Sequence, residues 1–264
     1  MPFAFFISTE FKFKEAALKP LLGNKSKYFT KNSSLQTREL EILDARLYSE
    51  NMNHITFIKQ PRGRPSKSTQ QTDENRQRLT AVGVALLTKK GFGATGLDEV
   101  TAKAGLPKGS FYAYFDSKEA FGLVLIDAYA KFFNEMLDRA FLNEAHTPLE
   151  RLNNFILEAR TNMAKYDFNR GCLVGNLGVE IYSLPGAFRQ RLVDVFSDWQ
   201  GKTETCFLAA QALGEISPDI NCATKAQSFW IGWEGAILRA KLERRAAPID
   251  IFKTDFLENL TRQR

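Results

Sequence analysis

The chain is expected to be all-α. No segment alternates apolar and polar residues long enough to form a half-buried strand. Apolar residues instead recur at three- and four-residue spacing through most of its length, and Pro and Gly fall at the joints between those runs. The pattern divides the chain into an N-terminal stretch, 1–60, without periodicity, a helix-turn-helix headpiece over 61–116, and a larger helical domain over 117–264.

Residues 1–51 begin with MPFAFFI, which lacks both a preceding basic residue and a following small-residue cleavage site, so it does not read as a secretory signal. The following KSKYFTKNSSLQTREL is polar and aperiodic. This stretch is expected to be an upstream extension ahead of a start at Met52; a regulatory arm is the alternative. Next comes KQPRGRPSK, residues 59–67, a basic segment that cannot pack but can lay Arg62 and Arg64 into a minor groove, or else remain a solvated tail. The first helix is expected over Asp73 to Lys90, with Leu79, Val82, Leu86 and Leu87 inward and Gly91 ending it.

Thr95 is placed to cap the second helix, whose apolar edge is Leu97, Val100 and Ala104. Gly105 and Pro107 form a turn, and from Lys108 another short helix is expected to carry Ser110, Phe111, Tyr112, Tyr114 and Phe115. Two short helices about such a turn make a helix-turn-helix, whose second helix enters the major groove. Beyond Ser117 the runs lengthen. A connecting helix reaches about Asn143, another runs from Pro148 to near Tyr166, and a short one follows Gly171. Pro185 opens a long helix, Gly214 to Asp219 loop, Cys222 to Arg244 form the last long helix, and Pro248 starts a terminal one. Gly232, Ala236 and Ala240, four apart, allow close approach of another helix, from this chain or from a second copy.

Net charge is +6, and residues 53–118 alone carry 11 Lys or Arg against 5 Asp or Glu. The whole excess therefore gathers at the helix-turn-helix, as phosphate neutralisation requires, whereas a non-specific architectural DNA binder would spread it over the surface. Three widely spaced cysteines give no disulfide framework and suit the cytoplasm. His54 and His146 sit in no metal-ligand spacing, no cofactor motif or phosphate loop is present, and no apolar run approaches a membrane span. Neither metal nor cofactor is expected, and the enzyme alternative, with Cys172 and Lys241 as nucleophile and base, lacks a general-acid histidine.

The run from Gly91 to Phe121, GFGATGLDEVTAKAGLPKGSFYAYFDSKEAF, resembles the DNA-binding signature of TetR-type transcriptional repressors without a gap. The resemblance implies a homodimer on palindromic operator DNA, built through a four-helix bundle of the helices around 187–211 and 222–244. It also implies that Gly109 and Ser110 approach base edges, that Lys108, Tyr112, Tyr114 and Lys118 reach phosphates, and that Thr95 belongs to the same surface. Relatives commonly carry His or another larger residue where this chain has Ala113, so an operator sequence does not carry over.

Two further strings, RGCLVGNLGVE (170–180) and FWIGWEGAILRAKLE (229–243), are similar to those of acrylate-responsive repressors, which are akin to the electrophile-sensing repressor of N-ethylmaleimide reductase. That likeness implies a sensing Cys in the GCL string and a Lys in the AK string, here Cys172 and Lys241, with release by a small electrophile, by an unsaturated acid such as acrylate, or by oxidation of the thiol with reactive chlorine. From the residues themselves, Cys172 begins a helix beside Arg170, where the dipole and a cation favour thiolate, though a small buried thiol is the alternative. Lys241 belongs either to this site or to a solvated face with Glu243 and Arg244. Trp230 and Trp233 read as core or pocket wall, and Glu234 and Asn176 as polar residues in apolar surroundings.

Overall fold

A computed structural model describes residues 67–262. Arg62, Arg64 and the extension read over 1–51 lie outside the described residues. The described chain forms eight α-helices and no strand: α1 Lys67–Lys90, α2 Leu97–Lys103, α3 Lys118–Phe141, α4 Pro148–Lys165, α5 Leu173–Val179, α6 Gly186–Ala212, α7 Cys222–Glu243 and α8 Ala247–Thr261. Single 3₁₀ turns occupy Ser110–Ala113 and Ile181–Ser183.

The boundaries follow local chemistry. Gly91 stops α1 with a left-handed φ of 79° that side chains with a Cβ rarely adopt. Ser117 Oγ accepts the Ala120 amide at 2.9 Å and starts α3. Thr147 and Glu150 close a reciprocal capping box around Pro148 at the start of α4. Asn221 Oδ1 accepts from Thr224 N at 2.9 Å and starts α7.

Helix α1 packs on α2, α3 and α5; α3 runs on into the second domain, where it lies on α6 and α4; α7 lies between α6 and α8. Asp127 pairs with Arg191 and Asp138 with Lys202, so equal steps along α3 and α6 match and the two helices run parallel. Gly122 lets them close up, because a Cβ there would lie 2.3 Å from the Phe188 ring and 2.7 Å from that of Phe92. The core of the larger domain is aromatic, with Phe133 against Trp199 at 4.3 Å between centroids, Trp199 against Trp230 at 5.0 Å and Phe155 against Trp233 at 5.4 Å. Trp230 and Trp233 are thus core residues, and Trp230 Nε1 donates to Thr203 Oγ1 at 3.0 Å.

The small-residue stripe on α7 is filled from within the chain. A Cβ on Gly232 would meet Phe252 of α8 at 2.4 Å, and Ala236 and Ala240 are buried. The stripe thus serves packing of α8 on α7 within the chain. The exposed apolar residues of α6 and α7 lie elsewhere: Val193, Leu208, Ile231, Leu238 and Leu242. No helix among the described residues is long and apolar enough to cross a membrane.

Candidate nucleic-acid interface and sensing site

At the basic end the structure alters two expectations. Thr95 does not cap α2: the N-cap is Gly96, without a side-chain bond, while the buried Thr95 hydroxyl donates to Gly91 O at 2.7 Å. It ties the turn after α1 together and presents no exposed group. The segment from Lys108 is not an α-helix either. Gly109 adopts a left-handed φ of 88°, and only the 3₁₀ turn Ser110–Ala113 follows. The chain turns at Lys108 and Gly109 and must then bury both Phe111 and Phe115, which pack on Phe121 at 5.1 and 4.6 Å; a tight turn with three-residue spacing fits that short span.

The residues around this turn are presented unequally. Tyr112 is 66% exposed and Gly109 is exposed. Lys108 is exposed and pairs with Asp98 at 2.8 Å, which raises its ammonium pKa. Ser110 Oγ donates to Pro107 O at 2.8 Å. Tyr114 is half-buried: its hydroxyl accepts from Asn75 Nδ2 at 2.8 Å and its carbonyl from Arg76 Nη1 at 2.9 Å, so it fastens the turn to α1. Lys118, expected on a phosphate, is drawn inward. Its Nζ donates to Phe92 O at 3.0 Å and lies 4.5 Å from the Phe92 ring centre. Burial lowers its pKa, against the pull of Glu180.

The second group of candidates surrounds α5. Cys172 is its N-cap, with Sγ accepting from Gly175 N at 3.5 Å. The expected thiolate is not favoured. Burial raises the thiol pKa well above its usual value, and the neighbouring Glu234 carboxyl raises it further, outweighing the Gly175 amide and the Tyr129 hydroxyl. The Arg170 guanidinium lies 4.0 Å over the Tyr166 ring. Glu234 packs so closely on α5 that a Cβ on Gly175 would fall 2.0 Å from its Oε2. The residue as a whole is half-buried, and its Oε1 is buried and unpartnered. Burial lifts this carboxyl to about 7, with the Cys172 hydrogen bond opposing.

Asn176 and Lys241 are brought together, but on a different task. Asn176 Nδ2 donates to Leu87 O and Thr88 O, both at 2.9 Å, and its Oδ1 accepts from Lys241 Nζ at 3.2 Å. Lys241 also reaches Thr88 O at 3.4 Å, as does Gly171 N at 2.9 Å. These carbonyls belong to the last turn of α1; Leu87 O also accepts from Gly91 N at 3.0 Å, whereas Thr88 O lies beyond the last helical donor because the Phe92 amide turns to Glu180. At the far end of α5, Glu180 accepts from Phe92 N at 3.1 Å and Gly93 N at 2.7 Å. Gly91 is the only residue type that fits beside it, since a Cβ would stand 1.6 Å from Glu180 Oε1. Sequence reasoning missed Glu180, Gly171 and Tyr129; the only trace was the string that contains the first two.

Segment 171–180 therefore grips the end of α1 while its first residues hold Cys172 against Glu234. Two open clefts, of about 570 and 320 Å³, are lined by α4 and α8 and by α7 and α8 respectively; neither is lined by Cys172 or Glu234.

Comparison with known proteins gives two family matches: bacterial regulatory proteins, tetR family, over residues 79–122, and tetracyclin repressor-like, C-terminal domain, over residues 148–256. The chain is 48% identical over 196 residues to the transcriptional regulator AcuR of Cereibacter sphaeroides, covering 74% of this chain and 87% of the relative. It is 28% identical to the transcriptional repressor NemR of Escherichia coli K12, over 67% of this chain and 89% of that one. Among solved structures, the regulatory protein TetR from Rhodobacter sphaeroides superposes with a TM-score of 0.67 at 49% identity, covering 68% of this chain and 95% of that one. The reduced form of Escherichia coli NemR shares the fold, with a TM-score of 0.64 at 24% identity over 72% of this chain and all of that one.

Proposed function

The chain belongs to the tetR family of bacterial regulatory proteins and is a DNA-binding transcriptional repressor; from that premise we propose that it holds a palindromic operator as a homodimer and releases it when a small electrophile or unsaturated acid acts at Cys172. The observation that carries the proposal is the double role of segment 171–180. The sensing cysteine opens α5, and the residues flanking and ending that helix hold Thr88, Phe92 and Gly93. Helix α1 in turn holds the reading turn through Asn75 and Arg76 to Tyr114. A displacement at Cys172 thus passes through α5 and α1 to the DNA end over packed, hydrogen-bonded contacts.

The homology to AcuR and NemR supports acrylate or a related electrophile as inducer. In this reading Gly109 and Ser110 meet base edges while Lys108 and Tyr112 meet phosphates. The exposed apolar faces of α6 and α7, with Gly201 and Gly235 open between them, form the partner seam. Two reading turns then sit about 34–36 Å apart, one turn of DNA. Release requires a difference of several kcal/mol between conformers. A covalent bond supplies that readily, whereas a three-carbon acid held non-covalently is near its limit at about −1.5 kcal/mol per heavy atom.

Replacing Cys172 with Ser is the test. Operator release by acrylate and by hypochlorite should both be lost or blunted. Unaltered release by both would remove the thiol from the mechanism. Loss of the hypochlorite response alone would make acrylate a reversible ligand and Cys172 a separate oxidation sensor.

A further inference from the structure

We infer that Glu234 is the proton acceptor and donor for addition of the Cys172 thiol to an inducer, and that among the inducers proposed above this pair favours an uncharged α,β-unsaturated carbonyl compound over a carboxylate anion. The inference rests on Cys172 being the inducer site and adds the group that activates it.

Three observations carry it. First, Glu234 packs onto the turn that carries Cys172, since a Cβ on Gly175 would lie 2.0 Å from Glu234 Oε2 and 3.7 Å from Cys172 Cβ, and the carboxyl keeps a second oxygen, Oε1, that is buried and unpartnered. A buried polar oxygen without a partner is costly, and here it lies beside a nucleophilic atom. Second, the groups acting on the sulfur are Glu234 from α7, the Gly175 amide from α5 and the Tyr129 hydroxyl from α3; none is cationic. The nearby ammonium of Lys241 is engaged with Asn176 and Thr88 and feels Glu180. A cation-stabilised thiolate is therefore not the route to reactivity, and a base is needed. Third, Cys172 is only 6% exposed, and Glu234 is packed against Gly175. An anion would have to shed its water and then face a carboxylate, whereas a small neutral molecule meets neither cost.

The step balances without an oxidant. The Glu234 carboxylate takes the Sγ proton as sulfur bonds to the β-carbon of the inducer. The carbon–carbon π bond opens and its electron pair moves onto the carbonyl as an enolate. Glu234 then returns the proton to the α-carbon, so one S–H and one C=C become one S–C and one C–H, and nothing leaves. Because burial lifts Glu234 to about 7, it is an effective base near neutral pH. Tyr129 is placed to hold the sulfur as charge develops.

The experiment follows alkylation of the full wild-type chain by intact-protein mass spectrometry with acrylamide and with sodium acrylate, alongside a free thiol, from pH 5.5 to 9. The acrylamide-to-acrylate rate ratio should exceed that of the free thiol by at least about tenfold at pH 8. The acrylamide rate should rise through about pH 7 and then level off, following Glu234, while the free thiol continues to climb. Glu234→Gln should lose that inflection and slow at least about a hundredfold, and Glu234→Asp should recover it in part. A rate that climbs to pH 9 like the free thiol, or a ratio equal to the free thiol's, overturns the inference, and both are read on the wild-type chain. Operator release is scored separately. If Cys172→Ser is still released by acrylamide, the inducer site lies elsewhere even where alkylation follows Glu234.

Discussion

Replacing Glu234 with Gln should change how the stability of the folded protein depends on pH. The carboxyl is sealed against α5 and lifted from 4.5 to about 7, so the folded state holds a proton that the unfolded chain has released between those values. The sign follows directly. The stabilisation is fully present below pH 4.5 and is lost as pH rises through about 7. At about 1.36 kcal/mol per pH unit the whole span is about 3 kcal/mol per protomer, of which roughly 2.5 falls between pH 5 and 8. Glutamine keeps the shape and removes the titration. Cys172 faces the same site but stays protonated over this range, since the thiol is pushed well up. Urea unfolding of both proteins at pH 5, 6, 7 and 8, at one fixed protein concentration, gives the comparison directly. The wild-type chain should lose about 2.5 kcal/mol more than Glu234→Gln across the series. Parallel pH profiles would show that Glu234 is solvated or paired in solution, and the account of the sensing site would fail with it.

Three further outcomes are expected. Tyr112→Ala should weaken operator binding about tenfold without altering unfolding, read by fluorescence anisotropy and urea titration, because its ring is exposed beside the reading turn. Lys118→Ala should lower stability by about 1 kcal/mol and leave the salt dependence of DNA binding unchanged, since its ammonium is held by Phe92. Glu180→Gln should raise the electrophile concentration needed for operator release at least about fivefold, because the carboxylate that couples α5 to the Phe92 and Gly93 amides is weakened.

Most of the fold was legible because its punctuation is chemical. Pro148, Pro185 and Pro248 open helices, Gly91 and Gly214 close them, and the apolar spacing between them is helical. The reading turn was less so, since spacing alone does not reveal that Gly109 turns left-handed and that Phe111 and Phe115 must both face inward. The site was half legible. Cys172, Asn176, Glu234 and Lys241 do gather around α5, yet their states depend on burial, which reverses the thiolate expected from a helix N-terminus. Glu180 was invisible because its partners are backbone amides 87 and 88 residues away, which no side-chain pattern announces. Lys118 shows the same limit: a basic residue near a reading turn invites a phosphate, and spacing does not reveal that its ammonium also reaches Phe92.

The central claim, that a change at Cys172 reaches the DNA through α5, is tested most directly by footprinting the full chain on the DNA upstream of its own gene, before and after alkylation by acrylamide. One protected palindromic site should appear, and it should be lost in proportion to the fraction of Cys172 carrying the adduct. A site that stays protected when every Cys172 is alkylated would contradict the account.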